Sequence, residues 1–250
     1  MDMPDTSLLR TNVRHVDIGP AQLYGLHRKL IGFALLLVLG HGLAMVSKYY
    51  AGKDFVFGLV PLFDFYEEGN LPTYFSSLNL LLTAILLYAI ARLTPHSGKN
   101  GHAWRILAAG FVFMSLDEFA DLRMILNKAA RSVASAQLDA VPLLSVAWTV
   151  PVALLLIVLA VYFIPFLLRL KPVYTLNFAL AGAAFVLAAI GFETIEGHHV
   201  VLTQGVRDFS FMLMVTGEEI LEIFSILYFQ YFLLRYLNEY NRNIHLSLHY

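Results

Sequence analysis

The chain has 250 residues, of which 58% are hydrophobic and only 14% charged, with a net charge of −1 and no cysteine. A soluble domain of average composition carries about 25% charged residues, so this composition, with a mean hydropathy of +0.67, points to one membrane domain without a soluble appendage. The charge balance gives no reason to expect a nucleic-acid partner, and the missing cysteine excludes disulfides, thiolate metal ligands and a cysteine nucleophile.

Residues 1–29 read as a cytoplasmic N-terminal segment. Six apolar runs follow, each long enough to cross about 30 Å of hydrocarbon: Leu30–Ser47, Pro72–Ala91, Trp104–Leu122, Leu143–Leu168, Tyr174–Ile195 and Phe209–Tyr236. Lys48-Tyr49-Tyr50 follows the first run where a cleaved signal peptide would show small residues. Ahead of the second, Phe55, Phe57, Phe63, Phe65 and Tyr66 suit an outer interfacial segment. The third spans only if Asp117, Glu118 and Asp121 face other protein. Residues 237–250 read as a cytoplasmic tail, which leaves 30–236 as a single membrane domain. The fold class predicted is all-α, a polytopic bundle of about six transmembrane helices.

Orientation follows from Lys and Arg. Arg10, Arg14, Arg28, Lys29, Arg92, Lys99, Arg105, Arg169, Lys171, Arg235 and Arg242 fall on one side, eleven in all, against six on the other: Lys48, Lys53, Arg123, Lys128, Arg131 and Arg207. This places both termini in the cytoplasm of a bacterium, with the chain in its inner (plasma) membrane. Acids have the opposite skew.

Three acidic clusters stand out: Asp117-Glu118-x-x-Asp121, Glu193-x-x-Glu196-Gly-His198-His199 and Glu218-Glu219-x-x-Glu222. Carboxylates in a membrane segment cost a few kcal/mol, and several together repel unless protons or metal ions neutralise them. At about 1.5 Å of rise per residue, Asp117 lies roughly 18 Å above Arg105, Glu222 roughly 20 Å above Arg235, and His41 about 18 Å above Lys29. The clusters therefore share a depth in the outer half, facing the periplasm or exterior. Spacings of three and four put pairs such as Glu118 with Asp121 and Glu219 with Glu222 on one helix face. Di-metal bundle sites use the same arithmetic, although there the second residue of the repeated pair is His. The expected ligand set is Asp117, Glu118, Asp121, Glu193, Glu196, His198, Glu218, Glu219, Glu222 and His41. The ion expected is divalent, with iron first and zinc or manganese behind it.

Plainer readings stand beside these. Asp64, Glu67 and Glu68 read as solvated interfacial acids, and the same holds in part for Glu193 and Glu196. Arg123 or Arg207 can hold some acids by ion pairing alone. His41 suits a hydrogen-bonded bundle histidine, and Ser76, Ser77 and Ser115 suit helix packing. Paired haem histidines, phosphate loops, Gly-x-Ser-x-Gly and His-Glu-x-x-His are absent.

Phe113-Met114-Ser115-Leu116-Asp117-Glu118, the run Asn70-Leu71-Pro72-Thr73-Tyr74-Phe75-Ser76-Ser77 and Thr216-Gly217-Glu218-Glu219-Ile220-Leu221-Glu222 together resemble a group of uncharacterised prokaryotic polytopic membrane proteins. The resemblance covers most of the membrane region and implies the architecture, with no established activity. Its pattern has a His-Glu pair one to two turns after the Asp-Glu, where this chain has Leu122-Arg123-Met124 and neither residue.

Three functions follow from these residues. The first is a metal-dependent membrane enzyme acting on a lipid or other apolar small molecule from the outer leaflet. The second is a cation or proton transporter using the same acids, for which the inner half offers no matching ladder. The third is a noncatalytic subunit or assembly factor.

Overall fold

The computed structural model describes residues 14–94, 99–139, 146–239 and 244–248. Arg10, residues 143–145 at the head of the fourth predicted span, and the end of the tail lie outside them. In chain order the elements are strand β1 (Arg14–Ile18), helices α1 (Pro20–Tyr49), α2 (Leu59–Phe63), α3 (Leu71–Leu93), α4 (Lys99–Ala120), α5 (Leu122–Asp139), α6 (Thr149–Leu167), α7 (Pro172–Val186), α8 (Glu193–Leu202) and α9 (Phe209–Glu239), and strand β2 (Ile244–Leu248). The strands form an antiparallel ribbon, Asp17 opposite His245, that joins the two ends of an otherwise helical chain.

Among the described residues, the segments Ala21–Tyr49, Leu71–Leu93, Thr149–Leu167 and Pro172–Leu202 are long and apolar enough to cross a bilayer, which marks a membrane protein. Their outward faces are apolar. Leu35, Leu36, Leu39 and Leu43 on α1, and Leu154, Leu155, Ile157, Val158 and Val161 on α6, are all exposed as lipid contact requires.

Local signals set the helix ends. Pro20 and Pro172 occupy the first turns of α1 and α7, where the missing N–H costs nothing. Asn70 caps α3 by accepting from the Thr73 N–H at 3.2 Å, while its own amide donates to the carbonyls of Pro61 and Asp64. Those bonds fold α2 and the 64–70 turn back over α1.

Two cores hold the bundle. One, around Trp104, Tyr174, Phe178, Phe229 and Leu233, joins α3, α4, α7 and α9. The other, around Leu37, Phe65, Phe75, Met212 and Leu227, joins α1, the α2 turn and the rest of α9. Helix α9 therefore packs in both, and Ser77 and Ser115 clip α3 to α4 by reciprocal 2.8 Å bonds to each other's carbonyls.

Candidate functional site

The third predicted span departs from its expected course. Helix α4 stops at Ala120, and Asp121 takes a left-handed φ of 47° before α5 begins. A non-glycine residue accepts that conformation only where its surroundings fix it. Here the Asp117 carbonyl accepts from the Asp121 N–H at 2.7 Å, and the Asp117 carboxylate accepts from the Arg123 N–H at 2.8 Å. The break turns the Arg123 side chain into the middle of the acids. Its Nη2 lies 3.6 Å from Glu68 and 4.0 Å from Glu118, and its Nε 3.7 Å from Asp121 and 4.0 Å from Asp117.

The fifth predicted span also has an interruption, a turn of π-helix at Leu187–Phe192 immediately before Glu193. Such bulges commonly re-aim side chains at functional sites. Glu193 then lines a cavity together with Trp148, and Glu196, one turn on, is buried. Opposite them, Gly217 leaves room for α9 to approach: a Cβ there would sit 2.9 Å from the Phe192 ring. Glu218 next to it is buried and lines the same cavity as Glu196. Glu219 and Glu222, half-buried on the same helix, sit close enough to Glu118 and Arg123 for their charges to interact. The acids of α4, α8 and α9 thus converge.

A cavity of about 460 Å³ opens among these helices. Its charged lining is Glu68, Asp121, Glu193, Glu196, Glu218 and Glu219 with Arg123, Arg131 and Arg207, six carboxylates against three arginines. Phe65, Tyr66, Met124, Trp148, Val200, Val201 and Phe211 supply apolar wall.

Several expected site residues lie elsewhere. His41 is buried, but both ring nitrogens are committed: Nδ1 accepts from the Phe65 N–H at 3.1 Å and Nε2 donates to Thr216 Oγ1 at 2.8 Å. The bundle-histidine reading describes this arrangement. His198 Nδ1 is buried with no partner, and neither residue lines the cavity. His199 pairs with Asp208 at 3.0 Å. The Phe211 N–H and then His199 hold the Asp208 carboxyl below its ordinary range.

The interfacial reading of Asp64 is corrected. It is 1% exposed and pairs with Lys48 at 2.9 Å, because the Asn70 bonds draw its turn onto α1. Among the described residues, no three His, Asp or Glu side chains are placed to share one ion. Physically, Arg123 already stands among Glu68, Asp117, Glu118 and Asp121, where a metal would otherwise balance them.

Sequence reasoning missed three parts of this site: α5, the π turn and the Trp148 contact. Helix α5 had a signal, since Leu122, Ile125, Leu126 and Ala129 recur at helical spacing above a charged face. The other two had none.

No curated protein and no solved structure matches this chain. Residues 30–236 match the domain family described as Domain of unknown function (DUF8692), and the chain belongs to that family.

Proposed function

We propose that this chain is a six-span protein of a bacterial inner membrane, with cytoplasmic termini and a carboxyl acid–base site in its outer half. The site would act on a lipid or other apolar-bodied substrate entering from the outer leaflet. The six spans are supported by α4 and α9, whose acids engage one another and Arg123, so their charges need not meet lipid. The excess of Lys and Arg on the termini's side supports the orientation.

One observation carries the functional reading: Glu196 and Glu218, both buried, line one cavity that also has an apolar wall. Two buried carboxyls side by side repel unless one holds a proton, so the pair has both an acid and a base ready for a bound substrate. A transport path finds less support. Beyond Glu222 the bundle closes on Gln230, Asn79 and Thr83 and then on the Trp104 core.

Dicyclohexylcarbodiimide, an apolar reagent for protonated carboxyls, tests this reading. Peptide mapping of the purified protein should locate the adduct on Glu196 or Glu218, and a water-soluble carbodiimide should leave both untouched. Unlabelled α8 and α9 acids would remove the acid–base reading.

A divalent ion, iron before zinc or manganese, is the second reading, favoured by the surplus of carboxylates over arginines in the cavity. Elemental analysis of protein purified without chelators would support it by stoichiometric metal that falls in Glu222→Gln. Sub-stoichiometric metal that does not rise on reconstitution would end it.

A further inference from the structure

We infer that the acidic cavity receives the head group of an amphiphile bearing a primary ammonium beside a phosphate, an aminoethyl phospholipid, with the ammonium held by Glu196. The inference rests on the substrate-site reading above and names its ligand.

Glu196 is 8% exposed, and its Oε1 is sealed from solvent without a donor from the protein. A buried carboxylate oxygen in that state is costly. Its neighbour in the cavity, Glu218, is also a carboxyl and brings a donor only by holding a proton. An –NH3+ group brings three donors and a positive charge to the same place and displaces that proton. The acids do not form a ready metal set, because no three ligand-type side chains among the described residues focus on a point. An ammonium does not need that focus.

Charge changes sign toward the mouth. Arg207 is exposed, lies 5.2 Å from the Tyr66 ring and 6.0 Å from Phe211, and makes no ion pair among the described residues. Tyr66 lies within the influence of both the exposed Arg207 and the buried Glu196, so the two charges flank one side chain of the wall. A phosphate at Arg207 and an ammonium at Glu196 match that order. Val200 and Val201 on the wall suit the start of an acyl chain.

The test uses the full chain and native mass spectrometry. An equimolar mixture of phosphatidylethanolamine, its mono- and dimethyl derivatives and phosphatidylcholine, with matched chains, is offered in detergent. The wild type should retain the primary amine over choline by about tenfold, the scale of one charged hydrogen bond, with retention falling at each methyl. Glu196→Gln should flatten the series, and Arg207→Gln should weaken all four lipids alike. Equal retention across the series in wild-type protein would overturn the inference, as would a preference that survives in folded Glu196→Gln. A preference confined to free O-phosphoethanolamine over phosphocholine would overturn the lipid assignment. Carbodiimide labelling of Glu196 or Glu218 with no amine preference would defeat this inference alone, and absence of labelling would defeat the reading beneath it.

Discussion

At one end of α9 the Gln230 amide, 2% exposed, donates to the Asn79 carbonyl, the Asn79 side chain and the Thr83 hydroxyl at 2.8–3.0 Å. Three turns earlier on the same helix, Glu218 is equally sheltered but faces Glu196, an acceptor facing an acceptor. The first arrangement satisfies its polar groups and closes the bundle. The second leaves Glu196 Oε1 without a donor and depends on the π turn ahead of α8 and the break at Asp121 to exist. Trp104 Nε1, orphaned among rings, is the exception at the closed end. The contrast separates polar groups that build the fold from polar groups the fold must tolerate, and the latter are where function is sought.

Arg123 stands among four acids at the open end, so its loss should be the largest effect there. Arg123→Gln should cost about 1 to 2 kcal/mol, because it leaves the part-buried Asp117, Glu118 and Asp121 without their cation while solvent still screens them in part. Chemical denaturation in a fixed detergent measures this, with exposed Arg169→Gln as the reference. A loss no larger than the reference would mean that water already screens the four acids.

The comparison makes opposite forecasts for two substitutions on α9. Gln230→Leu should destabilise by about 2 kcal/mol, since three acceptors lose their donor. Glu218→Gln should leave the melting temperature unchanged or raise it, because an amide beside Glu196 offers a permanent donor where the acid must hold a proton. If Glu218→Gln unfolds the protein as readily as Gln230→Leu, the two ends do not differ in kind.

How much of this was legible in the sequence depended on the range of the interaction involved. The four long apolar segments Ala21–Tyr49, Leu71–Leu93, Thr149–Leu167 and Pro172–Leu202 follow apolar runs of the sequence, and their ends follow local signals such as Asn70 and Pro172. The acids of α4, α8 and α9 were legible as a group from their depth and spacing alone. The break at Asp121 was not, because a left-handed residue inside an apolar run is imposed by contacts rather than by composition. Arg123 meets Glu68 across 55 residues of chain, and Asp64 is buried by an asparagine six residues ahead of it. Solvation of an acid near a span end is a fair default, and only the folded turn shows that Asp64 departs from it.

Glycine substitutions sharpen the comparison through backbone approach. Gly217→Ala would press a methyl into Phe192 and move α8 off α9, costing about 1 to 2 kcal/mol. Gly182→Ala on α7 meets open space and should gain up to about 1 kcal/mol from helix propensity. Phe192→Leu should recover part of the first loss. Equal effects at the two glycines would mean that the α8–α9 contact is slack.

The smallest effect is expected at Asp208, on the rim of the open end, where the carboxylate accepts from the Phe211 N–H at 3.0 Å and pairs with His199. Both contacts favour the ionised form, and hydrogen bonding to Phe211 leads in holding its pKa below 3.8. A depressed acid contributes stability that is fully present above its unfolded pKa and is lost as pH falls through the folded one. Asp208→Ala should therefore lower the melting temperature slightly at neutral pH, and the difference should shrink once the pH passes below 3.8. Asp208→Asn keeps an acceptor for Phe211 and should show less loss and a flatter pH profile. Melting curves of the three proteins across that range decide it. A deficit in Asp208→Ala that persists unchanged at the acid end would assign the contact to packing, and the rim would then resemble the closed end, where polar groups hold the fold without titrating.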